Sequence, residues 1–153
     1  MGVVVRREDI TSPTAASLIT ALNDELLQQY PEPGATHFRL GSDEVAEGRG
    51  AFLVAYVDGT PLGCGAVRYL AKGTAELKRM YVAPTARGTG IGRLLLTELE
   101  HEARALGVGR LVLETGIRQE AALALYRNAG FAVIPAYGDY TGSPTSICMG
   151  KDL

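Results

Sequence analysis

The glycine-rich segment Arg87–Gly92, with the sequence Arg-Gly-Thr-Gly-Ile-Gly, constrains the fold of this chain more than any other segment. It lies between residues 75–82, whose pattern predicts a strand, and residues 93–100, whose pattern predicts a helix. Glycine allows positive φ and lets an anion approach the backbone closely, because it has no Cβ atom. The first turn of the helix adds unpaired N–H groups and the positive end of the helix dipole. The segment therefore predicts a loop that binds phosphate.

The spacing of the glycines excludes two common phosphate-binding motifs. The dinucleotide motif G-x-G-x-x-G, counted from Gly88, needs a third glycine where this chain has Arg93. A P-loop needs Gly-Lys-Ser/Thr at its end, which is absent from this segment. The pattern that does fit is Arg-x-x-Gly-x-Gly, through Arg87, Gly90 and Gly92. Taken alone, this pattern also fits an ordinary turn between a strand and a helix.

A second motif lies downstream, where residues 122–126 have the pattern A-x-x-L-Y and the predicted helix closes on Gly130-Phe131. The two motifs, in this order and at this separation, resemble the GNAT superfamily of N-acetyltransferases. The resemblance is specific between Glu76 and Phe131 and only architectural before that. It implies acetyl-CoA as the co-substrate, with its pyrophosphate on the glycine-rich loop.

The resemblance also implies which residues contact acetyl-CoA. The strand before the loop would lie along pantetheine, with an N–H group near Met80 facing the thioester oxygen. Gln119 stands where many members have asparagine, seven residues before the tyrosine of the second motif. The residues implied for cofactor binding are Met80, Tyr81, Val82, Arg87, Gly88, Thr89, Gly90, Ile91, Gly92, Arg93 and Gln119.

Two residues are candidates for acid–base catalysis. Tyr126 aligns with the tyrosine beside the CoA sulfur in the superfamily, and a phenol that stays protonated at neutral pH can donate to a thiolate. The alternative is that Tyr126 is a core aromatic residue. Glu76 lies eleven residues before Arg87, as does the general-base glutamate of histone-type members. Its alternative role is an ion pair with Lys78 or Arg79.

The first helix, the loop after it and the last strands form the acceptor site in this superfamily. Here those segments contain Tyr30, His37, Tyr137 and Tyr140, with Arg68 and Arg79 on adjoining strands. Bidentate binding of a carboxylate by the arginines would favour an amino-acid-like primary amine, although pairing with surface acids is equally consistent. The base could also come from these segments, where His37 and Glu114 are candidates.

The order of predicted elements, β-α-β-β-β-α-β-α-β-β, indicates an α/β fold with a mixed sheet and a central antiparallel meander. Ser12 and Pro13 predict the start of the first helix, Asp58-Gly59 a hairpin, and Gly107 the end of the second helix. No repeat or linker interrupts the pattern. We expect a single N-acetyltransferase domain over residues 1–153.

Composition narrows the classes of partner. A formal charge of −2 predicts no nucleic-acid surface, and no apolar run reaches the roughly 20 residues of a membrane span. Two cysteines without a signal peptide favour a cytoplasmic location, and no cluster of ligands predicts a metal. Dimers are frequent among relatives, but the sequence leaves the oligomeric state open. The competing functions are a catalytically silent acyl-CoA sensor and a nicotinamide-dependent oxidoreductase; the glycine spacing and the meander oppose the latter.

Overall fold

The computed structural model describes residues 2–32 and 40–153, and their order of elements confirms the predicted one. Three short 3-10 helices, at Ser42–Val45, Pro84–Ala86 and Gly138–Tyr140, lie in the connections. The main elements are β1 (Val3–Arg7), α1 (Pro13–Gln29), β2 (Gly50–Val57), β3 (Thr60–Ala71), β4 (Thr74–Val82), α2 (Ile91–Ala105), β5 (Arg110–Gly116), α3 (Glu120–Asn128), β6 (Ala132–Ile134) and β7 (Ser146–Asp152).

The seven strands form one mixed sheet in the order β1-β2-β3-β4-β5-β7-β6. β2, β3 and β4 form an antiparallel meander joined by short turns, as predicted, and β1 pairs with β2 in the antiparallel direction. β5 adds to β4 in parallel, and this connection requires the crossover helix α2. β7 then inserts between β5 and β6, antiparallel to both. The parallel pair β4–β5 is therefore central in the sheet.

Side chains alternate between the two faces of the sheet. Residues 51, 53 and 55 of β2 pack in one apolar cluster with α2 and with Leu123 and Tyr126 of α3. Residues 52, 54 and 56 pack in a second cluster with Ala15 and Leu18 of α1. This period of two is what a strand buried on both faces requires. α1 therefore covers one face, and α2 and α3 cover the other.

The caps of the helices follow the local sequence. Ser12 is the N-cap of α1, and its Oγ accepts a hydrogen bond from the Ala15 N–H at 3.0 Å. Gly107, with φ of 80°, ends α2 in the left-handed conformation that glycine favours. α3 begins at Glu120, with Gln119 as its N-cap. No helix within the described residues is long and apolar enough to span a membrane.

Candidate active site

β4 and β5 separate halfway along their length. Their parallel pairing joins Thr74–Leu77 to Arg110–Leu113 and then ends. Lys78 and Glu114 are the first residues beyond the last pair, and a cavity of about 100 Å³ opens there. Its lining includes residues 77–80 of β4, residues 113–116 of β5, and Tyr126. The gap exposes backbone groups of two neighbouring strands to one cavity, because neither strand pairs along that edge with any other strand in the described part of the chain.

A larger cleft of about 490 Å³ adjoins this cavity. Its walls are the glycine-rich loop with the start of α2, the start of α3, and the side of α1 that carries Leu22, Glu25 and Gln29. Five residues line both spaces, so the two form one continuous groove. The shared residues are Leu22, Met80, Gln119, Ala122 and Tyr126.

The glycine-rich loop has the backbone conformation that its sequence predicts. Gly88 and Gly90 have φ of 78° and 92°, and Gly90 is the N-cap of α2. No side chain among the described residues caps the helix, which leaves its first N–H groups without a cap. Gly90 and Gly92 line the cleft. The Arg87 guanidinium donates to the Val82 carbonyl at 2.9 Å and to both carboxylate oxygens of Glu25 at 2.8 Å.

β4 contains a bulge at the point where it faces the groove. Cys64 of β3 pairs with Tyr81 and Ala66 pairs with Lys78, so two residues of β4 lie opposite one residue of β3. One of the two, Arg79, has φ of 60°, which is uncommon for a residue with a side chain. Its carbonyl accepts from the Cys64 thiol at 3.4 Å, and its guanidinium donates to Asn23 of α1. Burial lowers the pKa of this guanidinium.

Tyr126 stands in the wall shared by the cavity and the cleft. It is 5% exposed and contacts the Phe131 ring edge-on, with the ring centroids 5.8 Å apart. Burial, and secondarily the negative charge of Glu114, raise the pKa of its hydroxyl well above the ordinary value. The phenol therefore keeps its proton at neutral pH. Tyr126 is therefore a core aromatic residue and also a residue of the groove wall, so its packing role does not exclude the proposed acid role.

Glu76 is buried, with 1% of its surface exposed, and it does not line the groove. One carboxylate oxygen accepts from Arg68 Nε at 2.9 Å, and the other accepts from the hydroxyls of Tyr137 at 2.6 Å and Tyr140 at 3.2 Å. The alternative role foreseen for Glu76, an ion pair with Lys78 or Arg79, was wrong about the partner. The salt bridge is with Arg68, which also binds Glu44.

A second carboxylate does line the cavity. Glu114 of β5 accepts a hydrogen bond from Ser146 Oγ at 2.7 Å, and Lys78 lines the same cavity from β4. Burial lowers the pKa of Lys78, while the charge of Glu76 opposes that shift. Carboxylate and ammonium groups are therefore placed on either side of the opening between the strands.

Gln119 closes the loop between β5 and α3. Its carboxamide oxygen accepts from the Gly116 N–H at 3.2 Å and from Thr115 Oγ1 at 2.9 Å. The longer side chain of glutamine, relative to asparagine, thus contacts the end of β5. Gln119 also lines both parts of the groove.

The residues predicted for the acceptor site fall into three groups. Tyr30, Arg79 and Tyr140 line the cavity between the strands. Arg68 and Tyr137 lie outside it: the Arg68 guanidinium is held by Glu44 and Glu76, and the Tyr137 hydroxyl donates to Glu76. His37 lies outside the described residues.

Other residues of the groove were not singled out from the sequence as residues of the site: Lys78, Thr115, Glu25, Gln29 and Arg118. Glu25, Gln29 and Arg118 reach the groove only through the packing of α1 against the β5–α3 connection, for which no local motif exists. Lys78 and Thr115 depend on where the parallel register of β4 and β5 ends. Within residues 2–32 and 40–153, no three His, Cys, Asp or Glu side chains are grouped to hold a metal ion.

Comparison with known proteins establishes the family. Residues 16–131 match the model of the acetyltransferase (GNAT) family. The chain belongs to the GNAT acetyltransferase family. A relative from Azospirillum brasilense, described as an IAA acetyltransferase, is 41% identical over 153 residues, with 99% of each chain covered. The uncharacterised N-acetyltransferase YsnE of Bacillus subtilis is 30% identical, covering 97% of this chain and 99% of its own. The protein is an N-acetyltransferase of this family.

Solved structures share the GNAT fold described above. A candidate acyl-CoA N-acyltransferase from Klebsiella pneumoniae has a TM-score of 0.83 and 32% identity, covering 99% of this chain and 97% of its own. The PaiA N-acetyltransferase of Thermoplasma acidophilum, solved in complex with coenzyme A, has a TM-score of 0.74 and 20% identity, with 100% of each chain covered. At that identity the PaiA structure supports the fold alone.

Proposed function

We propose that this GNAT enzyme transfers the acetyl group of acetyl-CoA to the primary amine of a small polar or amino-acid-like molecule. The observation that carries the proposal is the continuous groove, which runs from the glycine-rich loop past Tyr126 into the cavity between β4 and β5. A long acyl-CoA donor and a small acceptor need a site of this form. The donor would enter by the cleft, and the acceptor would meet it in the cavity.

Features of the cleft fit acetyl-CoA chemically. The uncapped N–H groups at the start of α2 suit the pyrophosphate, because anions are stabilised there. Beyond Leu77, the edge of β4 that faces β5 has no strand partner and can bond the pantetheine amides. The Gln29 side-chain oxygen is buried on the cleft wall and has no hydrogen-bond partner among the described residues. An amide N–H of pantetheine would satisfy that oxygen.

Acetyl transfer to an amine requires an oxyanion donor, a proton acceptor and a proton donor. Met80 lies beyond the last residue of β4 that pairs with β5 and lines the cavity, so its backbone N–H suits the donor to the thioester oxygen. Tyr126 suits the role of the acid that protonates the leaving thiolate, because its phenol keeps its proton. Glu76 lies on β4 and Glu114 on β5, both near the point where the two strands separate. They are the candidate proton acceptors among the described residues.

The cavity also limits the acceptor. Lys78 and Arg79 bring positive charge to its wall, close to the carboxylate of Glu114. An acceptor with both a carboxylate and an amine complements this pairing of charges. The relative that shares 41% identity is described as an IAA acetyltransferase, so IAA belongs with the L-amino acids among the acceptors to be tried. The cytoplasmic location and the oligomeric state stay predictions.

The test has a binding step and a turnover step. Isothermal titration should show binding of acetyl-CoA and CoA and no binding of NAD. Release of free thiol from acetyl-CoA is then followed with a panel of L-amino acids, polyamines and IAA. We expect saturable thiol release with at least one amino acid. A protein that binds acetyl-CoA but releases no thiol with any acceptor in the panel would overturn the proposed acceptor class and favour a sensor of acyl-CoA.

A further inference from the structure

We infer that Glu114, rather than Glu76, accepts the proton of the acceptor ammonium group. The inference rests on the proposed function and assigns one step of it. Glu114 lies where β4 and β5 separate, on the wall of the cavity, and Ser146 holds its carboxylate with a hydrogen bond of 2.7 Å. A group that removes a proton from the acceptor must be in direct reach of it, or in reach through one water.

The register of the strands places Glu114 beside the reacting groups. Leu113 is the last residue of β5 that pairs with β4, so Glu114 is the first to face the gap. Its charge contributes to the raised pKa of Tyr126 in the wall of the groove and of Tyr140 in the wall of the cavity. The carboxylate is therefore electrically coupled both to the proposed acid and to the acceptor side of the cavity.

Glu76 lacks this access. A carboxylate offers about four acceptor directions, and three donors already occupy those of Glu76: Arg68, Tyr137 and Tyr140. The side chain is 1% exposed and lies outside the lining of both parts of the groove. An acceptor amine would have to displace one of these donors from a buried site. Glu76 instead positions Tyr140, which lines the cavity.

The proton balance of the reaction closes with Glu114 and Tyr126. Glu114 takes one proton from the ammonium group and later releases it to solvent. The neutral amine then attacks the thioester carbonyl, so that a C–N bond forms and the C–S bond breaks. Tyr126 gives its proton to the leaving thiolate. The second proton, lost by the nitrogen as the amide forms, restores the phenol of Tyr126.

Among the described residues, titratable and charged groups face Glu114 from several elements, and all of them affect the pH dependence. They are Glu76, Lys78 and Arg79 on β4, Cys148 on β7, Tyr126 on α3, Tyr140 before β7 and Tyr30 at the end of α1. Burial and neighbouring negative charge raise the pKa of the three tyrosines and of Cys148, so these groups stay protonated at neutral pH. Of the described groups that line the cavity, the carboxylate of Glu114 is then the candidate proton acceptor.

The test compares Glu114→Gln with Glu76→Gln in the full chain, using acetyl-CoA and the L-amino acid that the unmodified protein acetylates fastest. Glutamine keeps the size and the hydrogen bonding but cannot accept the proton. We expect Glu114→Gln to lower kcat/KM by about 10²-fold at pH 7. The loss should shrink as pH rises, because the amine then arrives neutral. Binding of acetyl-CoA, measured by titration, should be retained.

Glu76→Gln is the matched comparison, and it should behave differently. We expect its Tm to fall by about 5 °C, because it loses a buried ion pair, while the shape of its pH–rate profile stays parental. Ser146→Ala should lower kcat/KM several-fold with a parental profile, since it removes only the group that holds Glu114.

Two results would overturn the inference. The first is a Glu114→Gln protein that binds acetyl-CoA and keeps the parental pH profile. The second is a Glu76→Gln protein whose kcat/KM is lowered at pH 7 and recovers at high pH, in place of Glu114→Gln. Should Glu114→Gln fail to fold, Glu114→Asp withdraws the carboxylate by one methylene, and an unchanged kcat/KM in that variant also contradicts the assignment. If the unmodified protein releases no thiol with any L-amino acid, the proposed acceptor class fails first, and this assignment fails with it.

Discussion

At the scale of single residues, Tyr126 shows how burial determines chemistry. Its ring packs against Phe131 in the core, and burial raises the pKa of the hydroxyl. A phenol in that state keeps its proton through neutral pH and well above it, whereas a phenol in water ionises near pH 10. The same packing fixes the ring between the two parts of the groove. Stability and the proposed acid role therefore depend on the same contacts.

Tyr126→Phe should lower kcat by about 10²-fold, within the usual range for loss of a general acid. The KM for acetyl-CoA should change little, because the ring and its packing stay in place. Steady-state rates of thiol release measure both constants. Tyr69→Phe, at an exposed position on β3, removes a hydroxyl of the same kind and should leave both constants unchanged. An unaltered kcat in Tyr126→Phe means that water or another group protonates the sulfur.

At the scale of elements, the turn from β4 into α2 depends on glycine for its backbone conformation. Gly90 has φ of 92°, and a Cβ added there would have no atom within 4 Å. A substitution at Gly90 therefore destabilises the fold by straining the backbone, and the added Cβ collides with no other atom. Gly73, in the turn between β3 and β4, has φ of 77° and equally open surroundings. The two positions differ in location, because Gly73 lies at the opposite end of β4 from the cleft.

We therefore expect Gly90→Ala and Gly73→Ala to lower the free energy of unfolding by a similar amount, about 1–2 kcal/mol. Only Gly90→Ala should weaken binding of acetyl-CoA, by about 10-fold or more, since a phosphate contact to a backbone N–H contributes about 1.5–3 kcal/mol. Thermal melts and titration calorimetry give the two quantities. Equal loss of binding in both variants, or in neither, contradicts a phosphate site at the loop.

Some features of these elements could be predicted from the sequence, and others could not. Local signals predicted the start of α1, its cap at Ser12 and the glycine that ends α2. The partner of Glu76 could not be predicted, because it depends on a bulge. A regular two-residue turn from Ala71 to Thr74 would place Arg68 opposite Leu77. One extra residue near Leu70 shifts the register and places Arg68 opposite Glu76.

Part of the candidate site could likewise be predicted from the sequence. The glycine loop and Tyr126 follow from motifs in the sequence, and both line the groove. Glu114 and Lys78 were named from the sequence, but their place together on the wall of the cavity could not be predicted from local signals. It depends on the register at which β5 meets β4 and on where that pairing ends, and both follow from long-range packing.

At the scale of the whole molecule, α1 joins the two walls of the cleft. Glu25, on its groove side, holds Arg87 of the glycine-rich loop in a bidentate salt bridge. At the end of the helix, the Tyr30 hydroxyl accepts from the Arg118 N–H at 2.9 Å, and the Gln29 carbonyl accepts from the Arg118 guanidinium at 2.9 Å. Arg118 belongs to the β5–α3 connection, so α1 bridges the cleft from one wall to the other. The helix thereby places a carboxylate next to the proposed pyrophosphate site.

Glu25→Gln should tighten binding of acetyl-CoA, because it removes a negative charge beside the phosphates and releases Arg87 to contact them. A charge interaction of about 1 kcal/mol at this range corresponds to about fivefold in Kd. The gain should diminish as salt rises to about 1 M, where charges are screened beyond about 3 Å. Asp24→Asn is the control, because the neighbouring residue is exposed, lies outside the lining of the groove and changes net charge equally. Titration calorimetry at two salt concentrations measures the effect. Weaker binding in Glu25→Gln contradicts this view and means that Glu25 holds Arg87 ready for the ligand, so that α1 assists the donor site instead of opposing it.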